Sequence, residues 1–132
     1  MSTPVQIFTV IVLVALPTVM FGGFSLLRLM KTDALNEFQT TYFRAGHAHA
    51  GVLLVMTLAA LAFLDRADLG SAATWAVCIT LSIGVIAQSG GMFLHMALGR
   101  PGQWSIGNTV TTAGALTLTA GLLTLAYGIA TA

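Results

Sequence analysis

The sequence predicts an all-α membrane protein, a single-domain, four-transmembrane-helix up-down-up-down bundle, and three observations predict it. Of the 132 residues, 57% are hydrophobic and only 7% charged, whereas a soluble domain carries roughly a quarter of its residues as charges. The mean hydropathy is +0.92. The few charges divide the chain into four apolar stretches, each near the roughly 20 residues that a helix needs to cross a hydrocarbon core about 30 Å thick. Sheet is excluded, because unpaired strand edges are not tolerated in lipid and a closed barrel shows an alternating pattern that is absent here.

The first stretch runs from about Gln6 to Met30 and stops at Lys31. It has no basic leader and exceeds the apolar core of a secretory signal, so it reads as a retained helix. Pro17 and the pair Gly22-Gly23 predict a kink in it. The second runs from about Gly46 to Leu64 and is closed by Asp65-Arg66-Ala67-Asp68. The third starts near Ser71 or Ala72 and ends at about Leu98, before the turn Gly99-Arg100-Pro101-Gly102, where glycine frees the backbone and proline cannot continue a helix. The fourth begins near Asn108, read as an N-cap, and continues to about Ala130. Every connection is short except the first, about fifteen residues from Lys31 to Ala45, and short links between consecutive spans give alternating directions.

Arg28, Lys31, Arg44 and Arg100 fall in or beside the first and third connections, against Arg66 alone in the second. The positive-inside rule then places those two connections in the cytoplasm and both termini outside it, with a bacterial inner membrane as the expected location. A net charge of +1 offers no footprint for nucleic acid. The single cysteine, Cys78, lies in an apolar stretch and reads as a small buried residue. In the fourth span Gly114, Thr117, Gly121, Thr124 and Gly128 form one stripe of small residues. Such stripes let helix backbones approach closely in lipid, so this one predicts a helix–helix contact inside the bundle or between protomers.

Chemistry concentrates on the three histidines. His47 and His49 open the second span and His95 closes the third, so two antiparallel neighbours bring all three to a similar depth on one side of the membrane, where they could share a site. Polar groups in spans are costly and usually face the bundle interior. Gly84, Gln88, Gly91 and His95 lie on one face of the third span, offering an amide, an imidazole and two gaps for a flat ligand or a neighbouring backbone. Arg44 and Arg100 flank the region and suit an anionic group such as a propionate or lipid phosphate. His47 and His49 are two residues apart, so on a regular helix they point about 200° from one another and cannot both face one metal.

Each histidine has two readings: a ligand of a metal or heme iron through neutral imidazole, with His49 and His95 the candidates, or a bridge from the helix end to headgroups and water. Met56, Met92 and Met96 suit copper(I) or heme alongside imidazole, and equally fill packing gaps, which is the reading adopted. Paired carboxylates are missing from the spans, since Asp33, Glu37, Asp65 and Asp68 all lie in connections. This argues against proton pumping through a buried acid.

The segment Arg44-Ala-Gly-His-Ala-His-Ala-Gly51, opening the second of four short spans, resembles the small membrane isomerases that include styrene oxide isomerase and hydroxylaminobenzene mutase. The resemblance implies a compact four-helix bundle that assembles as a homo-oligomer, and heme b held by a histidine matching His49, followed by Gly51. The family's next motif, an Asn-Gly pair, is Val55-Met56 here, and the third span carries no tyrosine. The expected function is therefore a heme-binding membrane protein in which ferric heme acts as a Lewis acid to isomerise a small apolar substrate such as an epoxide. The site set is His49, His95, His47, Gln88, Gly91, Arg44 and Arg100. Two alternatives stand beside it: a non-catalytic small subunit docked on a larger membrane complex through its glycine-threonine stripe, and a copper or zinc site built from the three histidines.

Overall fold

A computed structural model describes residues 1–132. The chain forms α1 (Thr3–Lys31), α2 (Glu37–Leu64), α3 (Ser71–Leu98) and α4 (Ile106–Ala130). All four are long and apolar enough to cross a membrane, and the protein is an integral membrane four-helix bundle. Even the shortest, with 25 residues, reaches about 37 Å at 1.5 Å per residue.

Two boundaries depart from the sequence reading, and both for the same reason: capping polar groups begin a helix before hydropathy rises. Asn36 caps α2 by accepting the Gln39 N–H at 2.9 Å, while the Gln39 side chain accepts the Asn36 N–H at 3.1 Å, a reciprocal capping box. The expected fifteen-residue connection therefore shrinks to residues 32–36, and His47 and His49 stand in the third turn of α2 or beyond, not at its start. In α4 the cap is Ser105, not Asn108. Asn108 is the third residue of the helix and its side chain accepts the Ser105 N–H at 3.0 Å. α1 runs as one uninterrupted helix through Pro17 and Gly22-Gly23.

The helices do not close into a square. α3 packs most extensively on α4 and next on α2, and α2 holds α1, while no Cα of α1 comes within 8 Å of one in α4. The α3/α4 seam follows from glycines at a seven-residue period. Gly107, Gly114, Gly121 and Gly128 are all buried, and an added Cβ at each would run into α3 or the loop before it: His95, Gln88, Thr80 and Leu69 respectively. From the other side, a Cβ on Gly84 would lie 2.8 Å from the Leu118 backbone, and one on Gly91 2.6 Å from the Gly107 carbonyl. The glycines of the stripe are thus spent within the chain, as van der Waals packing of backbones in lipid requires, while Thr124 stays exposed.

The apolar core sits toward the Asp65–Asp68 end, where Leu61, Leu64, Val77, Cys78, Leu81 and Leu125 are almost fully buried. The opposite end, carrying Lys31, Arg44 and Arg100, is closed by rings instead. Phe93 packs edge-on to Phe43 at 5.4 Å between centroids and fills the space over Gly46, where a Cβ would sit 3.0 Å from its ring. Large apolar residues such as Phe21, Ile86 and Leu116 are about 70% exposed, forming the surface that lipid covers.

Candidate functional site: three histidines on three seams

The three expected partners do not meet. No three His, Cys, Asp or Glu side chains come together anywhere in the chain, so the three-histidine copper or zinc centre does not form. The reason is the unbroken helix through residues 47–49, which turns the two α2 imidazoles to different sides.

His47 faces α1. A Cβ on Gly23 would lie 2.9 Å from His47 Nε2, and one on Gly22 would lie 3.5 Å from Nδ1. The glycine pair that suggested a kink is the space into which this ring fits. His47 is half-buried and belongs to the α1/α2 packing.

His95 faces the start of α2 and the loop before α4. It is 2% exposed, and Nδ1 lies 2.6 Å from Ser105 Oγ. Ser105 Oγ also accepts the Gly107 N–H at 3.1 Å and lies 3.3 Å from Asn108 Oδ1, so imidazole, hydroxyl and amide form one chain that fixes the α4 cap. Tyr42 and Phe38 meet the ring edge-on, with centroids at 4.4 and 5.3 Å. The Gly99 N–H donates to the His95 carbonyl at 2.7 Å, and Gly99 and Gly107 bring backbone against His95 where any Cβ would collide. Serine and two aromatic rings thus surround His95, and its Nδ1 is spent on Ser105. Ser105, Phe38 and Tyr42 are the partners that sequence reasoning missed. The spacing Ser105-x-x-Asn108 and the four-residue step from Phe38 to Tyr42 were the available signals. Phe38 and Tyr42 also line an open cleft of about 620 Å³ with Glu37, Met96 and Pro101.

His49 is the histidine whose ring is held by a backbone carbonyl beside an open groove. Its Nδ1 lies 2.9 Å from the Ala45 carbonyl oxygen. A carbonyl only accepts, so Nδ1 carries the proton and the neutral ring keeps its lone pair on Nε2, which has no hydrogen-bond partner in the chain. His49 lines a groove of about 320 Å³ on the α2/α3 seam with Ala48, Val52, Leu53 and Gln88. Val52 is 67% exposed, so the groove lies on the surface that lipid covers.

The remaining candidates divide around these sites. Gln88 joins His49 in the groove. It stands seven residues before His95 on the same α3 face, about 10 Å along the axis, which separates it from that ring. Gly91 is filled by Thr111 and the Gly107 carbonyl of α4, so the gap expected for a flat ligand is taken by a neighbouring backbone and Gly91 leaves the cofactor set. Arg44 and Arg100 are exposed and neither takes part in an ion pair. Compared with protein-family models, with curated proteins and with solved structures, the chain matches none.

Proposed function

We propose that the protein binds heme b with His49 as axial ligand, and that it isomerises a small apolar substrate, such as an epoxide, drawn from the bilayer. The observation that carries this reading is the hydrogen bond from His49 Nδ1 to the Ala45 carbonyl. Metal-ligating histidines typically donate their other ring nitrogen to a carbonyl or carboxylate, which sets the tautomer, orients the ring and raises its basicity. His49 has that arrangement and a free Nε2, and it lines a groove on the lipid-facing surface. The resemblance of Arg44–Gly51 to the small membrane isomerases supports the same residue.

The donor chemistry fits heme iron. When bound, the iron supplies a Lewis acid that polarises a carbon–oxygen bond without net redox. The chain's own residues bind and orient. His49 sets the ligand position, Val52 and Leu53 give apolar walls, and the Gln88 amide offers a donor and an acceptor in the same groove. Arg44 lies five residues before His49, about 7.5 Å nearer the membrane surface and about 140° around the helix, so its unpaired guanidinium meets a propionate only by reaching around α2. With walls from two helices only, the groove would cover one face of a planar group, leaving the other to lipid or to a second copy in a homo-oligomer. The positive-inside rule puts this end of the bundle in the cytoplasm. For the subunit alternative, the glycines of the stripe are buried against α3, which leaves Thr124 as its exposed member.

The test is an absorption spectrum of detergent-purified protein after heme supplementation, oxidised and then dithionite-reduced. A Soret band lost in His49→Ala and kept in His95→Ala is the expected result. No Soret band in the unmodified protein overturns the proposal.

A further inference from the structure

Hydroxyls in membrane helices usually satisfy themselves by donating to the carbonyl one turn back. This chain follows the habit: Thr74, Thr80, Ser89, Thr112, Thr117 and Thr124 each donate to the carbonyl four residues earlier, at 2.7 to 3.2 Å. Two buried hydroxyls are left without any partner. Thr57 Oγ1 and Ser82 Oγ are buried with no hydrogen-bond partner, and Thr57 is fully buried at 0% exposure.

The two exceptions come from different helices, α2 and α3, yet line the same small cavity of about 70 Å³, which α1 closes with Ile11, Val12 and Ala15. Thr57 stands seven residues before the end of α2, about 10 Å inside the bundle by helix rise, a depth at which lipid offers no hydrogen-bond partner. A water needs roughly 10–15 Å³ of such space and at least two polar partners. The cavity exceeds that volume and the two hydroxyls supply the partners.

We propose that this pocket is a binding site for a water molecule that bridges Thr57 and Ser82 and ties α2 to α3 beneath α1. Each hydroxyl can donate or accept, so one water accepts from one and donates to the other, which completes both. The site is independent of the His49 groove, which is lined by different residues.

A double-mutant cycle on the full chain in detergent tests it through the thermal midpoint. Thr57→Val keeps the shape and removes the hydroxyl, and Ser82→Ala removes the other. A bridging water predicts that each single variant lowers the midpoint by a few degrees and that the double variant falls no further than the worse single, because either change frees the same water. A rise in the midpoint for Thr57→Val, or additive losses, overturns the proposal, since an unpaired hydroxyl is better replaced by methyl. The unmodified protein provides a second reading if a variant fails to fold. An experimental map that resolves waters is expected to show one peak within hydrogen-bond distance of both oxygens. An empty pocket, or one filled by an acyl chain, overturns it.

Discussion

His49 Nδ1 and the Ala45 carbonyl oxygen lie 2.9 Å apart, and this single contact distinguishes His49 from the other two histidines. His95 spends Nδ1 on Ser105 within a closed shell of rings and backbone, and His47 spends its ring surface on a glycine pair. Only His49 combines a fixed tautomer with a lone pair left over and a groove beside it. His49→Gln, which removes the imidazole but keeps a polar group of similar reach, is expected to abolish heme absorbance. Gln88→Leu is expected to retain the Soret band and lose isomerase turnover, measured on epoxide substrates.

Gly91 and Gly90 are neighbours with opposite consequences. A Cβ at Gly91 would sit 2.5 Å from the Thr111 amide nitrogen, while one at Gly90 meets nothing within 4 Å. Gly91→Ala is expected to lower the unfolding free energy by about 1–3 kcal/mol through forced separation of α3 and α4. Gly90→Ala is expected to leave it unchanged or slightly raised, because alanine favours the helix. Denaturant titration followed by circular dichroism separates the two.

Ser105 does two jobs with one oxygen, capping α4 and holding His95. Ser105→Ala removes the cap, worth about 1 kcal/mol, and leaves a buried imidazole nitrogen unpaired at about 1–3 kcal/mol more. The expected loss exceeds that of an ordinary cap. In a His95→Phe background the loss shrinks toward the cap alone, which a thermal double-mutant cycle reads directly.

Gly23 and His47 are coupled across the α1/α2 seam. Gly23→Ala places a methyl 2.9 Å from the present position of His47 Nε2, so it is expected to destabilise the protein in the unmodified background. In a His47→Ala background the same change is expected to cost nothing, which a matched pair of melting curves checks.

Asp65 caps the end of α2 and accepts the Ser2 N–H at 3.0 Å. That hydrogen bond holds its carboxyl below the ordinary value of 3.8. A depressed folded pKa means that its contribution is fully present above pH 3.8 and disappears as pH falls through the lower folded value. Asp65 is exposed, so the global effect is expected to be small and local. The Ser2 amide chemical shift, followed by NMR, is expected to move only below pH 3.8, and to stay constant in Asp65→Asn, whose carbonyl oxygen still accepts.

Much of this molecule was legible because lipid imposes a simple accounting. Backbone polar groups must be satisfied within the segment, so an apolar run of sufficient length becomes a helix, and the runs ending at Lys31, Leu64 and Leu98 did so. The helix starts were less legible. Glu37–Arg44 is too polar for a hydropathy window, yet the Asn36–Gln39 capping box begins α2 there, and only that extension carries Phe38 and Tyr42 to His95.

The sequence by itself determined the helical class, the number of spans, their alternating directions and the angular separation of His47 from His49, because each depends on local chemistry or on helix geometry alone. The tertiary structure decided which histidine lines an open groove. That depended on which face of α3 the glycine seam presents to α4, and glycines constrain packing only through the neighbour that fills the space they leave. The same packing enclosed His95, filled Gly91 with α4 backbone, and left His49 beside an open groove with its Nε2 unpaired.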